Sequence, residues 1–130
     1  MPQVIAIIGL PGAGKTTLGK ELQEEFGFRF FDDPRKEDRK RVLKALEAGE
    51  DLIIADPTLC IPAFFQEFEK AVNDYDVRFI FFEADVDQCR KNVIRRDDDR
   101  VESTLISLRR FSKTYKVPED AVDVRKVPAA

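Results

Sequence analysis

Eight consecutive residues, Gly9-Leu10-Pro11-Gly12-Ala13-Gly14-Lys15-Thr16, constrain this chain more than any others. They spell G-x-x-x-x-G-K-[ST], a phosphate-binding loop, and the flanks are right for one. Before the loop, Val4-Ile5-Ala6-Ile7-Ile8 is a β-branched run of buried-strand length. After it, Leu18, Leu22 and Phe26 recur every four residues as one apolar helix stripe, and Gly27 sits where a C-cap belongs. Strand, glycine loop and helix N-terminus in that order aim backbone amides and the positive end of a helix dipole at one anion. The expected contacts come from Gly9, Pro11, Gly12, Ala13, Gly14 and Thr17. Lys15 should reach the β- and γ-phosphates, and the Thr16 hydroxyl should hold Mg²⁺. The pattern implies a nucleoside triphosphate, with ATP and Mg²⁺ as the expected pair.

The remaining punctuation alternates strand and helix. Phe28–Phe31 reads as a second strand ending in Asp32-Asp33, with Asp33 as N-cap and Pro34 as first residue of a helix running to Ala48. Val42, Ala45 and Leu46 should face inward. Leu52–Ala55 is a third strand ending in Asp56. Pro62 opens a helix whose Phe64, Phe65, Phe68 and Val72 should face the sheet. Val77–Phe82 is a fourth strand, and 86–96 a helix burying Val86, Cys89 and Val93. The longest helix then carries Val101, Leu105, Leu108 and Tyr115 on one stripe and stops before Pro118. Val122–Val124 makes a short last strand. This order predicts an α/β, three-layer P-loop NTPase fold with a parallel sheet of about five strands, nucleoside-kinase-like. One domain should span 1–127, with 128–130 as a tail.

Composition narrows the classes. Cys60 and Cys89 have neither framework nor metal spacing, and the chain contains no His, so structural zinc is not expected. No apolar run approaches the roughly 18 residues of a membrane span, and the N-terminal run lacks a basic leader. A cytoplasmic protein is expected, in the host cytoplasm if phage-encoded, without a membrane partner. Its oligomeric state is left open. The net charge of −3 argues against a general nucleic-acid coat. The charge is uneven, however. Between Asp33 and Lys44 six basic residues face three acidic ones, and between Arg90 and Arg100 five face three. Such clusters suit phosphates held at defined places.

Strand ends carry the chemistry in a sheet of this type. Asp32 is the candidate general base. Arg35, three residues on, can grip an acceptor phosphate in a bidentate fork. Asp56 is a second carboxylate for the Mg²⁺ shell or the acceptor, and its alternative is a turn-starting Asp before Pro57. Lys91 and Arg95 lie at i, i+4 in the later basic cluster and suit a lid that folds over the donor phosphates.

Taken in order, these pieces resemble the P-loop domain of polynucleotide kinases of the bacteriophage type. The matching parts are the loop at 9–16, Asp32-Asp33-x-Arg35, Ile53-Ile54-Ala55-Asp56-x-Thr58, Lys91-Asn92-x-x-Arg95, and a terminal helix of the Ser107-to-Tyr115 kind followed by a Pro. The resemblance implies an ATP-dependent kinase acting on a hydroxyl of a nucleic acid 5′ end or a nucleotide-like acceptor. In it, Asp32 would be the base, Arg35 would hold an acceptor 3′-phosphate, Asp56 would sit in the acceptor and metal region, and Arg95 would clamp the donor phosphates. The stretch between Arg35 and the third strand is short for that family, and Asp56-Pro57-Thr58 stands where an Asp-Thr-Asn is usual. A small-molecule kinase for a nucleoside, nucleotide or sugar is the neighbouring alternative. A non-catalytic nucleotide-binding protein is the alternative of another class. Neither guanine-specificity nor switch motifs of GTPases occur, and no glycine follows Gly49.

Overall fold

Strands β1 (Gln3–Ile8), β3 (Leu52–Ala55) and β4 (Asp76–Phe82) contribute the most buried residues of the chain; Val4 to Ile8 and Leu52 to Ala55 are all at most 5% exposed. Continuous apolar runs of this kind are what a parallel strand covered on both faces requires. The computed structural model describes residues 2–34 and 38–130. Among the described residues, five parallel strands form one sheet in the order β2-β3-β1-β4-β5, with β2 at Arg29–Asp32 and β5 at Val124–Arg125. Helices α1 (Lys15–Phe26), α2 (Arg39–Glu47), α3 (Pro62–Val72), α4 (Val86–Arg96) and α5 (Val101–Ser112) make the connections. The P-loop NTPase architecture expected from the alternation is present. None of the helices among the described residues is long and apolar enough to cross a membrane.

The chain leaves β1 toward β2 on one side, and β4 returns on the other. This topological switch opens a crevice at the carboxyl end of β1, where the glycine loop starts. Helix α1 then runs across β3 and β2. It approaches β2 closely because Gly19 has no side chain: a Cβ there would lie 2.1 Å from the Phe30 ring.

Several local expectations need correction. Asp33 does not cap a helix. It adopts φ +46°, its N–H donates to the Ala55 carbonyl, and α2 begins only at Arg39. Arg35, the expected acceptor-phosphate ligand, lies outside the described residues. A 3₁₀ turn at Pro57–Cys60 was not anticipated. Phe64 is 41% exposed: Phe65, Phe68 and Val72 supply the packed stripe, and Phe64 stands one residue off it, with the Arg39 guanidinium 5.9 Å from its ring. Helix α5 ends at Ser112, so Tyr115 is buried from the segment after the helix, its hydroxyl donating to the Phe82 carbonyl. The last strand is Val124–Arg125, and Val122 is fully exposed. Residues 128–130 are no loose tail; they are pinned against the glycine loop by Asn92.

Candidate active site

The glycine loop is held from beneath. The Ala13 N–H donates to the Leu10 carbonyl at 3.0 Å, and the Lys15 ammonium donates to the Gly9 and Leu10 carbonyls at 2.7 and 3.0 Å. Cys60 adds a thiol hydrogen bond to the same Gly9 carbonyl at 3.2 Å. Burial lowers the pKa of Lys15 and pushes the thiols of Cys60 and Cys89 up to about 11. Both cysteines are therefore inert packing thiols, and neither is disulfide-bonded. Gly12 has φ +88°, and a Cβ there would stand 2.5 Å from the Cys89 carbonyl oxygen, so α4 packs directly on the loop backbone.

Above the loop opens a cleft of about 950 Å³. Pro11, Gly12, Gly14, Lys15, Thr16 and Thr17 line it, while Gly9 and Ala13 do not. The first-turn amides of α1 have no intrahelical acceptor, so they are available to an anion in this cleft. One wall carries Asp32 and Asp33 from the end of β2 and Pro57 from the turn after β3. The Thr16 hydroxyl donates across this corner to both carboxylate oxygens of Asp32, at 3.1 and 3.0 Å. The motif's metal-ligating hydroxyl and the candidate base are thereby brought together. The Asp33 carboxyl is pushed up by partial burial first and then by the Asp56 and Asp32 carboxylates, against the pull of Lys15 and Arg100.

Asp56 is placed differently from expectation. It is buried at 4% exposure and does not line the cleft. Its Oδ1 accepts from the Thr58 amide and hydroxyl at 3.0 and 2.7 Å, and its Oδ2 pairs with Arg39 at 3.4 Å. The carboxylate caps the 3₁₀ turn, as the alternative reading of an Asp before Pro57 described, and is not free for a metal. Mg²⁺ typically takes one or two carboxylates together with substrate phosphates, and Thr16 with Asp32 supplies oxygen donors of that kind. Among the described residues there is no cluster of three or more His, Cys, Asp or Glu side chains placed to hold a metal by itself.

The basic residues that reach the cleft are also not the pair expected for a lid. Lys91 and Arg95 do not line the cleft; Arg96 and Arg100 do, with Asp98 between them. Helical geometry explains the difference. Asn92 points at the loop, and Arg96 follows it at i+4 on the same face, whereas Lys91 and Arg95 lie on a neighbouring, exposed stripe. Asn92 itself is 5% exposed, and the motif Lys91-Asn92-x-x-Arg95 gave it no role of its own. Its signal was a polar residue set beside the apolar pair Cys89 and Val93. The far wall comes from Arg125, Lys126 and residues 128–130.

A glycine loop at the end of β1, an α1 N-terminus and a Thr–Asp corner beside them define a P-loop NTPase-type domain. Solved structures agree on the fold. A gluconokinase from Sinorhizobium meliloti aligns with TM-score 0.64 at 17% identity, covering 99% of this chain and 83% of its own. A shikimate kinase from Acinetobacter baumannii in complex with shikimate gives 0.61 at 20%, covering 100% and 86%. A chain of the Pnkp1/Rnl/Hen1 RNA repair complex gives 0.61 at 15%, covering 88% and 46%. In sequence, shikimate kinase 2 of Yersinia enterocolitica is 53% identical over 32 residues, which is 25% of this chain and 18% of that enzyme. No family model matches the chain. An uncharacterized protein of Acanthamoeba polyphaga mimivirus is 30% identical over 128 residues, 88% of this chain and 87% of the relative. The chain belongs to the family of that mimivirus protein.

Proposed function

We propose that the protein is a P-loop phosphotransferase that moves the γ-phosphate of ATP to an alcohol, with a nucleic acid 5′-hydroxyl as acceptor. The observation that carries the reading is the Thr16–Asp32 corner beside Lys15 in one open cleft. Phosphoryl transfer asks little covalent chemistry of a protein; it needs cations on the phosphates and a group that orients the nucleophile. Thr16 would hold Mg²⁺, and the ion would supply positive charge to the triphosphate. Lys15 exchanges its two loop carbonyls for the phosphates. Asp32 takes the proton of the acceptor hydroxyl as its oxygen bonds to the γ-phosphorus, and the bond from that phosphorus to the β-bridging oxygen breaks to release ADP. Arg96 and Arg100 stand on the lid side of the same cleft to meet charge on the phosphates. Arg35, three residues after Asp32 in the sequence, is the residue assigned to grip the acceptor phosphate.

A second reading has its own support. The gluconokinase and the Acinetobacter baumannii shikimate kinase are covered over more than four-fifths of their length, and the chain of the RNA repair complex over less than half. A small alcohol such as a sugar acid is therefore the competing acceptor. Labelled γ-phosphate of ATP offered to a 5′-hydroxyl oligonucleotide and, separately, to nucleosides and polyols decides between them. Transfer to the oligonucleotide that disappears in Asp32→Asn supports the proposal. Transfer only to small alcohols moves the protein to the second reading, and ATP binding without any transfer refutes catalysis.

A further inference from the structure

Asn92 uses its whole hydrogen-bonding capacity in a buried position. Its Nδ2 donates to the Gly12 carbonyl at 2.9 Å and to the Pro128 carbonyl at 2.7 Å. Its Oδ1 accepts from Gln88 Nε2 and from the Ala130 N–H, both at 2.9 Å. One amide thus joins three separate parts of the chain: helix α4, the glycine loop and the C-terminal segment. The attachment point on the loop is specific. The Gly12–Ala13 peptide is fixed at both ends, its carbonyl by Asn92 and its N–H by the Leu10 carbonyl at 3.0 Å. Gly12 has φ +88°, so this peptide orientation belongs to a backbone state that few residues adopt. The C-terminal segment is held on the other side. Val127 is buried, and the Pro128 ring lies 3.5 Å from where a Cβ of Gly14 would be.

We propose that Asn92 is a positioning residue that couples docking of segment 127–130 to the phosphate-binding shape of the glycine loop, so that the two form one linked equilibrium. Without the segment, Asn92 loses one acceptor and one donor partner, and its grip on the Gly12 carbonyl slackens. Without Asn92, the Gly12 and Pro128 carbonyls both lose the donor that holds them together. Either change releases the same peptide. Their effects on phosphate binding therefore overlap, as expected for members of one network. The inference rests on the reading of the cleft as a triphosphate site, and one of its two readouts does not depend on that reading.

The first readout is the affinity for Mg²⁺-tripolyphosphate, which carries the phosphates without a base or sugar, measured by calorimetry. Asn92→Leu and a chain ending at Val127 should each bind it about tenfold more weakly. The two changes combined should cost no more than roughly twofold beyond either alone. Asn92→Asp keeps the acceptor oxygen but lacks the donors and adds a negative charge, so it should bind no more tightly than Asn92→Leu. The second readout is ligand-free hydrogen exchange of the peptide spanning Gly9 to Gly14, which should quicken in the shortened chain even though the loop sequence is untouched. Losses that multiply in the combined variant would overturn the proposal. So would loop exchange unchanged by the truncation, which also decides the matter if Asn92→Leu fails to fold. A wild-type protein that binds no tripolyphosphate would instead refute the triphosphate reading, with exchange still deciding the coupling.

Discussion

Gly19→Ala is the substitution that most directly probes how the fold sets the Thr16–Asp32 corner. Gly19 follows Thr16 at i+3 on the same face of α1, and Phe30 precedes Asp32 at i+2 on the same face of β2. The helix–strand spacing at Gly19 and Phe30 is therefore the spacing at Thr16 and Asp32. A Cβ on Gly19 would meet three atoms of the Phe30 ring at 2.1, 2.5 and 2.6 Å. Bringing the nearest from 2.1 Å to an ordinary contact at 3.4 Å requires a displacement of about 1.3 Å. If α1 supplies that movement, the Thr16–Asp32 separation passes from 3.0 Å to beyond hydrogen-bonding reach. A misplacement of about 1 Å typically costs around 100-fold in rate. Stability should respond far less: overpacking costs roughly 1–3 kcal/mol, and replacing a mid-helix glycine by alanine returns roughly 0.5–1 kcal/mol. The expected result is a kcat about 100-fold lower with an unfolding midpoint within a few degrees of wild type. Adding Phe30→Leu to Gly19→Ala should restore much of the rate by vacating the ring's space. Wild-type kcat in Gly19→Ala would mean that the ring swings aside and that the glycine does not set the corner. Failure of Phe30→Leu to rescue would place the damage elsewhere.

Lys15→Ala should abolish triphosphate binding and turnover with circular dichroism unchanged, because its ammonium meets loop carbonyls and not the core; retained ATP affinity by calorimetry would contradict it. Arg96→Ala should depress turnover with every acceptor while Arg95→Ala stays close to wild type, since Arg96 lines the cleft and Arg95 does not; steady-state kinetics on the pair would show the reverse order if the lid face were misassigned. Gly12→Ala should destabilise by roughly 2–4 kcal/mol in urea unfolding, from left-handed backbone strain plus the clash with the Cys89 carbonyl, whereas Gly27→Ala, at φ +73° with nothing within 4 Å, should lose only about 1 kcal/mol. The Asp123 carboxyl is held below its ordinary range first by the Arg125 hydrogen bond and then by Arg78, against some desolvation, so its stabilisation is complete above about pH 4 and fades as pH falls through the lowered pKa. Asp123→Asn should therefore be less stable than wild type by about 1 kcal/mol at neutral pH, and urea titrations should show that gap closing below pH 4.

What the sequence disclosed is what short-range chemistry determines. The glycine loop, its strand and its helix follow from the single stretch Gln3–Phe26, and α4 begins and ends at the residues its periodicity indicated. Periodicity says which face of an element is buried, but not what the face meets. Periodicity therefore does not pick Arg96 over Arg95 as the residue that lines the cleft: Lys91 with Arg95, and Asn92 with Arg96, are both i, i+4 pairs, and only the contact with Gly12 distinguishes them. Asp33 was misread for a related reason. An Asp-Pro pair is a good helix start in isolation, but pairing of β2 with β3 carries the Asp33 N–H to the Ala55 carbonyl and turns the backbone left-handed before any helix begins.

The two buried polar side chains among the described residues, Asp56 and Asn92, show where such partners could have been sought. A polar group survives burial only with its hydrogen bonds made, so each marks a place where distant chain segments had to be tied. Asp56 ties the turn after β3 to α2 through Thr58 and Arg39. Asn92 ties α4 and the segment at Pro128 to the glycine loop. A carboxylate at the end of an apolar strand suggests metal binding, and an amide in a basic helix suggests no role of its own. Their partners reverse that ranking: the carboxylate is spent on structure, and the amide grips the backbone that has to hold the phosphates.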